Sequence, residues 1–389
     1  MLTHSIYERD ARVRRYAECL AREGGLVDIV CLASDGIEAD SHPENIRVYP
    51  IPKTRKRSEG VSHLLEWLIS AVWMFIRVSR LDLRVRYDLI HIHNMPDFLV
   101  FCALVPRLRG CPVILNVHDP VPEITISKLG LTDEHPIVKI QVFLEKIAVM
   151  FSTHVVTATD TFKRILVQRG ISPDKITVVT NSAYTGIFKP DAGYHVAPLE
   201  RKFFTLLYVG TVAERYGLDV CVRSLPLLRS EIPEIRLRIV PKIRNEGAAL
   251  TRSLELAREL GVADIVRLDD PVPLEQIGAI MQDADIGVYP AYRDRHMDLA
   301  LSLKIPEMAA LGLCIVATRL SVLEDLYGDE SIAFVPSGDH QALARKILEL
   351  YRSPDTRERL VRNARERTDL FSWDREYQTY RALIESLVK

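Results

Sequence analysis

The sequence predicts an α/β protein built from two Rossmann-like domains with parallel sheets. Three observations carry this. The strand-like runs are mostly continuous apolar stretches rather than alternating ones, as strands buried on both faces are. Amphipathic helical segments separate many of them, and repeated strand–helix–strand order means parallel pairing. Finally, 389 residues amount to two domains or slightly more at roughly 150 residues each, and one aperiodic, turn-rich stretch divides the chain.

In the first half the strands are LVDIVCLAS, IRVYPI, DLIHIHN, PVILNVHD, THVVTAT and KITVVTN, with DARVRRYAECLARE as the first amphipathic helix. A strand should precede that helix, which starts near Asp10. Only MLTHSIY is available, so the strand is short or the chain is truncated. In the second half the strands are FFTLLYVG, IRLRIV, IVRLDD, ADIGVYP, LCIVAT and IAFVP, with helices such as GLDVCVRSLPLLRS and GAALTRSLELAREL between them. The expected boundaries are a first domain over 1–185, a linker over 186–202 containing Pro190 and Pro198, and a second domain over 203–370. A final helix over 371–389 carries Trp373, Tyr377, Tyr380 and Ile384 near one face and is expected to pack back on the first domain. In open parallel sheets ligands bind beyond the carboxyl ends of the strands.

Composition narrows the function. Lys+Arg is 51 against Asp+Glu 52, for a formal net charge of −1, and aromatic residues are 7%. Nucleic-acid binding by bulk charge or base stacking is therefore not expected. Cys19, Cys31, Cys102, Cys111, Cys221 and Cys314 have no CxxC spacing and mostly sit in apolar runs, which suits buried thiols in a reducing compartment. The opening residues carry arginines but no apolar core of a signal peptide. The longest apolar run, LLEWLISAVWMFI, is shorter than the ~20 residues of a spanning helix and is broken by Glu66.

Two stretches carry candidate chemistry. Over 284–320 a strand ends at Tyr289-Pro290, a polar loop follows, and a helix begins between Ser302 and Pro306 and stops at Gly312. A helix start, a hydroxyl at Ser302 and a cation at Lys304 suit phosphate. Glu307 can accept hydrogen bonds from adjacent ribose hydroxyls, or can simply complement the helix dipole. Over 206–220 a strand runs into Gly210-Thr211, then Glu214-Arg215-Tyr216-Gly217 and a helix. Gly210 permits close backbone approach and Arg215 offers a fixed cation for a diphosphate, although an ordinary βα turn with a solvated arginine reads the same way. His91 and His93 share a strand face by period two and His118 ends the next strand. With Asp119 they could be metal ligands, but histidines in strands more often satisfy the core or line a cleft, and no metal is expected.

Taken in order, YVGT…ERYGLD, the loop IVPKIRNEG, VRLDDPVP, ADIGVYP and LKIPEMAALG resemble the nucleotide-binding domain of retaining glycosyltransferases of family four. ERDARVRRYAECLAREGGLVDIVCL, YDLIHIHNMPDFLVF, VILNVHDPVPE and ITVVTNS are similar to the acceptor domain of a bacterial polysaccharide-biosynthesis branch. The resemblance implies the GT-B fold, two Rossmann-like domains facing a central cleft, with an acceptor-binding first domain and a nucleotide-sugar-binding second one. It also implies transfer of a sugar from a UDP- or GDP-sugar to a glycan or lipid-linked acceptor, with retention of configuration and without metal or other cofactor. By matching positions, Arg215 and Lys304 hold the donor diphosphate with Ser302, Gly210 and Thr211. Glu307 takes the ribose, and His118 contacts the donor sugar or orients the acceptor. Arg12, Asp97, Asp119 and Glu123 are candidates for the acceptor.

The chain departs from the family pattern in four places. The first acid of the Glu-x7-Glu motif falls at Leu299, leaving Asp298 or main-chain groups to read the sugar. ERDARVRR replaces the glycine-rich first loop, and Tyr216 replaces a lysine whose charge moves to Arg215. Val240, Pro241 and Lys242 stand where a GxG is usual, and Lys242 adds a cation. Asp283-Ala-Asp285 fits a metal-binding string but lies where a helix meets a strand, so it reads as structural. A nucleotide-sugar epimerase on the same fold and a non-catalytic GT-B partner are the rival readings. Residues 53–86 add a membrane expectation. Lys53, Arg55, Lys56, Arg57, Arg77, Arg80, Arg84 and Arg86 face only Glu59, Glu66 and Asp82. Between the basic clusters lies an amphipathic helix with Leu64, Leu68, Val72 and Phe75 on one face and Trp67 and Trp73 for an interface. One face is expected to pack on the sheet while the basic edge meets anionic lipid, placing the protein in the cytoplasm, peripheral on the inner face of the membrane.

Overall fold

The computed structural model describes residues 1–33, 43–52, 61–184, 188, 202–243 and 247–388. Nearly all of the expected linker, and the basic cluster from Lys53 to Arg57, lie outside the described residues. The chain divides into two compact units, Met1–Thr180 with Asp374–Lys389, and Asn181–Trp373.

In the first unit the strands are β1 (Leu2–Thr3), β2 (Val27–Leu32), β3 (Ile46–Ile51), β4 (Ile90–His93), β5 (Val113–Val117), β6 (His154–Thr157) and β7 (Ile176–Val178). Its helices are α1 (Ala11–Arg22), α2 (Val61–Val85), α3 (Leu104–Leu108), α4 (Val121–Leu129), α5 (Pro136–Phe151) and α6 (Asp160–Gln168). The second unit contains β8 (Phe204–Gly210), β9 (Ile235–Pro241), β10 (Val266–Leu268), β11 (Ile286–Tyr289), β12 (Cys314–Thr318) and β13 (Ala333–Val335). Its helices are α7 (Leu218–Arg229), α8 (Gly247–Glu259), α9 (Leu274–Gln282), α10 (Lys304–Ala310), α11 (Ser321–Leu326), α12 (His340–Arg352) and α13 (Pro354–Leu370). The last helix, α14 (Trp373–Leu387), sends Tyr377, Tyr380 and Leu383 into the core of the first unit.

Both sheets are parallel, with orders β3-β2-β1-β4-β5-β6-β7 and β10-β9-β8-β11-β12-β13. In each, the order reverses beside the first strand, between β1 and β4 and between β8 and β11. At such a switch point the loops leave the sheet in opposite directions and open a crevice at the strand ends. Burial explains the continuous apolar runs: every residue of β5, β11 and β12 is buried. The first strand exists but has two residues, paired with Ile92 and His93 of β4. Asp10 caps α1, its carboxylate accepting from Arg12 N at 3.1 Å.

The orientation of α2 is a correction. Its packed face is Ser70, Met74, Val78 and Leu81. Leu68 and Val72, expected on the packed face, are exposed, Val72 by 58%. The helix is apolar on more than one side, so periodicity alone does not choose the stripe that meets the sheet. Trp67 turns inward to ring contacts with His4 and Phe98, whereas Trp73 is 47% exposed. Among the described residues no helix is long and apolar enough to cross a membrane.

Candidate active site

In the second unit β8 ends at Gly210 and β11 at Tyr289, side by side at the switch point. Lys304, the first residue of α10, extends its side chain over the end of β8. Its Nζ lies 5.2 Å from the ring centre of Tyr208, 4.6 Å from Tyr216 and 5.6 Å from Tyr289. Each ring face is electron-rich and attracts the ammonium, by about 0.5–2 kcal/mol according to how dry the contact is. Gly210 makes the seat possible. Its φ is +98°, and a Cβ there would stand 2.4 Å from Lys304 Cε. Gly217, with φ +66°, is equally fixed, because a Cβ would meet the Pro290 carbonyl oxygen at 2.0 Å.

Arg215 joins the same group. Its guanidinium meets Asp294 at 3.5 Å, and its carbonyl oxygen accepts from Tyr292 N at 2.8 Å, tying the loop after β8 to the loop after β11. The Tyr289 phenol is pushed up, first by burial, while the nearby Arg215 charge works against the rise. Tyr289 thus adjoins both cations. Thr211 follows Gly210, and its carbonyl oxygen accepts from Tyr208 OH at 3.2 Å. Ser302 is half-buried, and its carbonyl oxygen accepts from Ile305 N at 3.2 Å in the turn entering α10. Glu307 is buried in the first turn of α10. Lys242 is exposed just beyond β9. Asp298 is held by Arg293 of its own loop at 2.8 Å and by Ser321 N at the start of α11 at 3.0 Å. Asp285 accepts from Thr205 N at 2.7 Å and Asp283 from Arg238 at 3.2 Å, so both acids are engaged in the fold.

In the first unit the group forms where β1, β4 and β5 end. Asn94 is its clamp. Its Oδ1 accepts from His118 N at 2.8 Å, and its Nδ2 donates to the Asp119 carbonyl at 2.8 Å and to Asp97 Oδ1 at 2.9 Å. Arg12 reaches Asp119 at 3.5 Å and Asp10 at 3.5 Å. Burial pushes the Asp97 carboxyl up to about 6, against the Asn94 hydrogen bond and the Arg169 charge, which lower it. His118, Asp119, Asp97 and Arg12 are therefore brought together. Glu123 is placed otherwise. It is fully buried in α4 and ion-paired with Arg169 at 2.5 Å, and Arg169 also holds Glu145 at 2.9 Å. One carboxylate oxygen ties α4, through Arg169, to α5 and the end of α6, and the same Arg169 charge acts on Asp97.

The three histidines form a buried stack. His91 and His93 lie 4.2 Å apart, and His93 Nδ1 meets His118 Nε2 at 2.8 Å. His91 Nδ1 meets Tyr380 OH at 2.6 Å and its Nε2 meets Asn116 at 3.2 Å. These ring nitrogens bond to one another and to neighbours, and among the described residues no group of three or more His, Cys, Asp or Glu has a metal-binding arrangement. Asn94, Tyr208 and Tyr289 were not foreseen as site residues, and their only sequence signal is position, in or next to a strand end. His93 reads from the sequence only as a metal ligand, core or cleft histidine, and Tyr216 only as the replacement of a lysine.

Two family models match the chain, "Glycosyl transferase 4-like domain" over residues 10–182 and "Glycosyl transferases group 1" over 196–367. A D-inositol 3-phosphate glycosyltransferase of Arthrobacter sp. (strain FB24) is 27% identical, over 97% of this chain and 90% of that protein. The enzyme of the same name from Corynebacterium diphtheriae is 24% identical, over 91% and 84%. Among solved structures, sucrose-phosphate synthase from Thermosynechococcus elongatus superposes with a TM-score of 0.78 at 20% identity, covering 99% of this chain and 98% of that one. Anabaena Alr3699/HepE in complex with UDP gives 0.72 at 13% identity, covering 99% of both. The structural likenesses bear on the fold, and the two family models between them span most of the sequence. The chain belongs to the glycosyltransferases of the family-four type, hexosyltransferase-class enzymes with the GT-B fold.

Proposed function

We propose that this enzyme moves a sugar from a nucleoside-diphosphate sugar, UDP- or GDP-linked, to a glycan or lipid-linked acceptor, with retention of configuration and without a metal. The observation that carries the reading is the cation pair bordering Tyr289: Lys304 seated against Gly210 on three tyrosine rings, and Arg215 fixed by Asp294. Negative charge builds on the departing diphosphate as the glycosidic bond breaks. Preorganised positive groups stabilise that charge without reorganising at the moment of reaction. Arg215 and Lys304 take this role, Lys242 adds a further cation, Ser302 and Thr211 donate to the same oxygens, and Glu307 accepts from the ribose. The crystal of HepE with UDP, a protein of the same fold, supports a uridine nucleotide as the first donor to try.

Retention follows from attack on the same face as the leaving group. The acceptor oxygen bonds to the anomeric carbon, the bond from that carbon to the phosphate oxygen breaks, and the acceptor's proton passes to the departing diphosphate. The chemistry then needs cations near the diphosphate and no carboxylate nucleophile, in contrast to retaining glycosidases. His118 contacts the donor sugar, and Arg12, Asp97 and Asp119 meet the acceptor. A thermal-shift screen of UDP-, GDP-, TDP- and ADP-sugars tests the reading, since a ligand bound only by the native state raises the melting temperature. A shift with one nucleotide series is expected, and no shift with any would overturn it.

The acceptor's setting is part of the same proposal. On α2, α3 and α5 the exposed described residues are apolar or cationic: Leu65, Leu68, Val72 and Trp73, then Arg77, Arg80 and Arg84 on α2, Leu104 and Leu108 on α3, and Ile140, Phe143, Lys139 and Lys146 among those on α5. Asp82 and Glu145, acids of the same helices, are buried. An apolar face edged mainly by cations, with Glu66 half-buried on α2 and Glu134 paired to Lys139 just before α5, fits the interface of an anionic bilayer. The enzyme works there as a peripheral protein on the cytoplasmic face.

A further inference from the structure

We infer that His93 is a positioning residue that fixes the tautomer of His118, so that His118 presents an N–H donor at Nδ1 and no basic lone pair there. This rests on reading His118 as the residue that faces the donor sugar.

His93 closes β4 and His118 directly follows β5, the neighbouring strand. Their rings are inclined by only 7°, and His93 Nδ1 stands 2.8 Å from His118 Nε2, so the two nitrogens share one hydrogen bond and one proton. The main chain of His118 is fixed as well, by Asn94 Oδ1. Both rings are neutral. Burial lowers the basicity of each, with His118 adding to the effect at His93, and Arg12 and Arg15 adding to it at His118. A neutral imidazole has one donor and one acceptor nitrogen, so two arrangements are possible.

The choice between them is made at the far side of His93. Its Nε2 is buried and, among the described residues, has no hydrogen-bond partner. If His118 Nε2 donated to His93 Nδ1, the proton of His93 would sit on Nε2, a buried N–H with nothing to accept it. If His93 Nδ1 donates, only a lone pair is left unmet. Orphaned buried N–H groups are the rarer of the two defects. His93 therefore donates, His118 Nε2 accepts, and the proton of His118 is on Nδ1. The hydrogen bond made by one ring nitrogen decides what the other can do. Here His118 can donate to a sugar hydroxyl or a phosphoryl oxygen, and it cannot take the acceptor's proton at Nδ1. That removes His118 from the groups able to act as base at this position.

The test is a two-bond 1H–15N correlation spectrum of the full chain labelled with 15N-histidine, without ligand, at neutral pH. His118 is assigned by the signals missing in His118→Gln. The expected pattern is a protonated Nδ1 and an unprotonated Nε2. In His93→Asp, whose carboxylate can only accept near the former Nδ1–H, His118 Nε2 should become protonated, whereas His93→Asn, whose amide N–H stands near the same place, should keep the wild-type pattern. A protonated Nε2 in the wild type overturns the inference, as does an Nε2 left unprotonated in His93→Asp. If His93→Asp fails to fold, the wild-type spectrum still decides the tautomer. No nucleotide enters the measurement, so failure of the sugar-transfer reading shows separately in the donor screen.

Discussion

Lys304 is a cation whose position is set by residues that carry no charge. The tyrosine faces draw the ammonium over the end of β8, and the missing side chain at Gly210 leaves room for the methylenes. Two kinds of loss follow. Lys304→Ala and Arg215→Ala each remove a group that meets the leaving diphosphate, so kcat should fall by about 10²–10³, the scale of a lost preorganised donor, with little change in melting temperature. Near-wild-type turnover in both variants would rule the pair out. Gly210→Ala leaves the charge in place but displaces it, and should lower turnover as strongly as Lys304→Ala while costing stability through the positive φ. Asp97 calls for the opposite experiment. Its folded pKa is raised to about 6, so the native state favours the protonated acid. The stabilising effect of that protonation is fully present below the unfolded value near 4 and is lost as pH rises through 6. At neutral pH the buried charge is a burden of order 1–3 kcal/mol. Asp97→Asn keeps an acceptor for Asn94 and removes the charge. It should melt higher than the wild type at pH 7.5, with the difference shrinking toward pH 4.5. An equal difference at both pH values would contradict the assignment.

Elements were legible in proportion to how local their cause is. Parallel strands announce themselves because both faces are covered, and β5, β11 and β12 are buried throughout. Gly210, Arg215 and Lys304 were visible because a glycine at a strand end and cations beside loop and helix starts have few other uses. Tyr208 and Tyr289 were not, since an aromatic in a strand reads as core until the neighbouring strand and helix are placed. Asn94 was hidden, and the role of His93 misjudged, for the same reason: their partners lie across strands, at the ends of β4 and β5. The mistaken face of α2 shows the limit of periodicity, which reveals a stripe but not what covers it. That stripe, together with α5, makes its own prediction. Phe143, 61% exposed, and Ile140 are apolar side chains with little packing to lose. Ile140→Glu with Phe143→Glu should therefore leave the melting temperature unchanged, yet abolish co-sedimentation with vesicles containing phosphatidylglycerol. Wild-type protein that ignores such vesicles, or that binds pure phosphatidylcholine equally well, would remove the case for an anionic membrane.

At the scale of the whole chain, the two units differ in how they carry protons. The first buries His91, His93 and His118, each held neutral well below the ordinary histidine pKa chiefly by burial. In the unfolded chain all three take up protons near pH 6.5, so the stability that depends on their neutrality is present above that value and is lost as pH falls. Asp97, raised to about 6, and Glu145, raised to about 7, act in the other direction, since the native state binds their protons first. The Met1 amine and His154, both lowered, act with the histidines, and Glu376, raised, acts with the carboxyls. The groups that gain protons on unfolding outnumber those that release them, so the first unit loses stability as pH falls below the ordinary histidine value. In the second unit the buried groups with strongly displaced ionisation are phenols and thiols, such as Tyr289, Tyr327, Cys221 and Cys314, which do not titrate in this range. Acid should therefore loosen the first unit ahead of the second. Hydrogen exchange, corrected for the intrinsic pH dependence of the rate, should show protection in β4 and β5 falling between pH 7.5 and 5.5 while β8 and β11 hold theirs. His91→Phe, which deletes one of the three titrations, should narrow the difference. If protection declines equally in both sheets, the histidine stack is not what makes the molecule acid-sensitive.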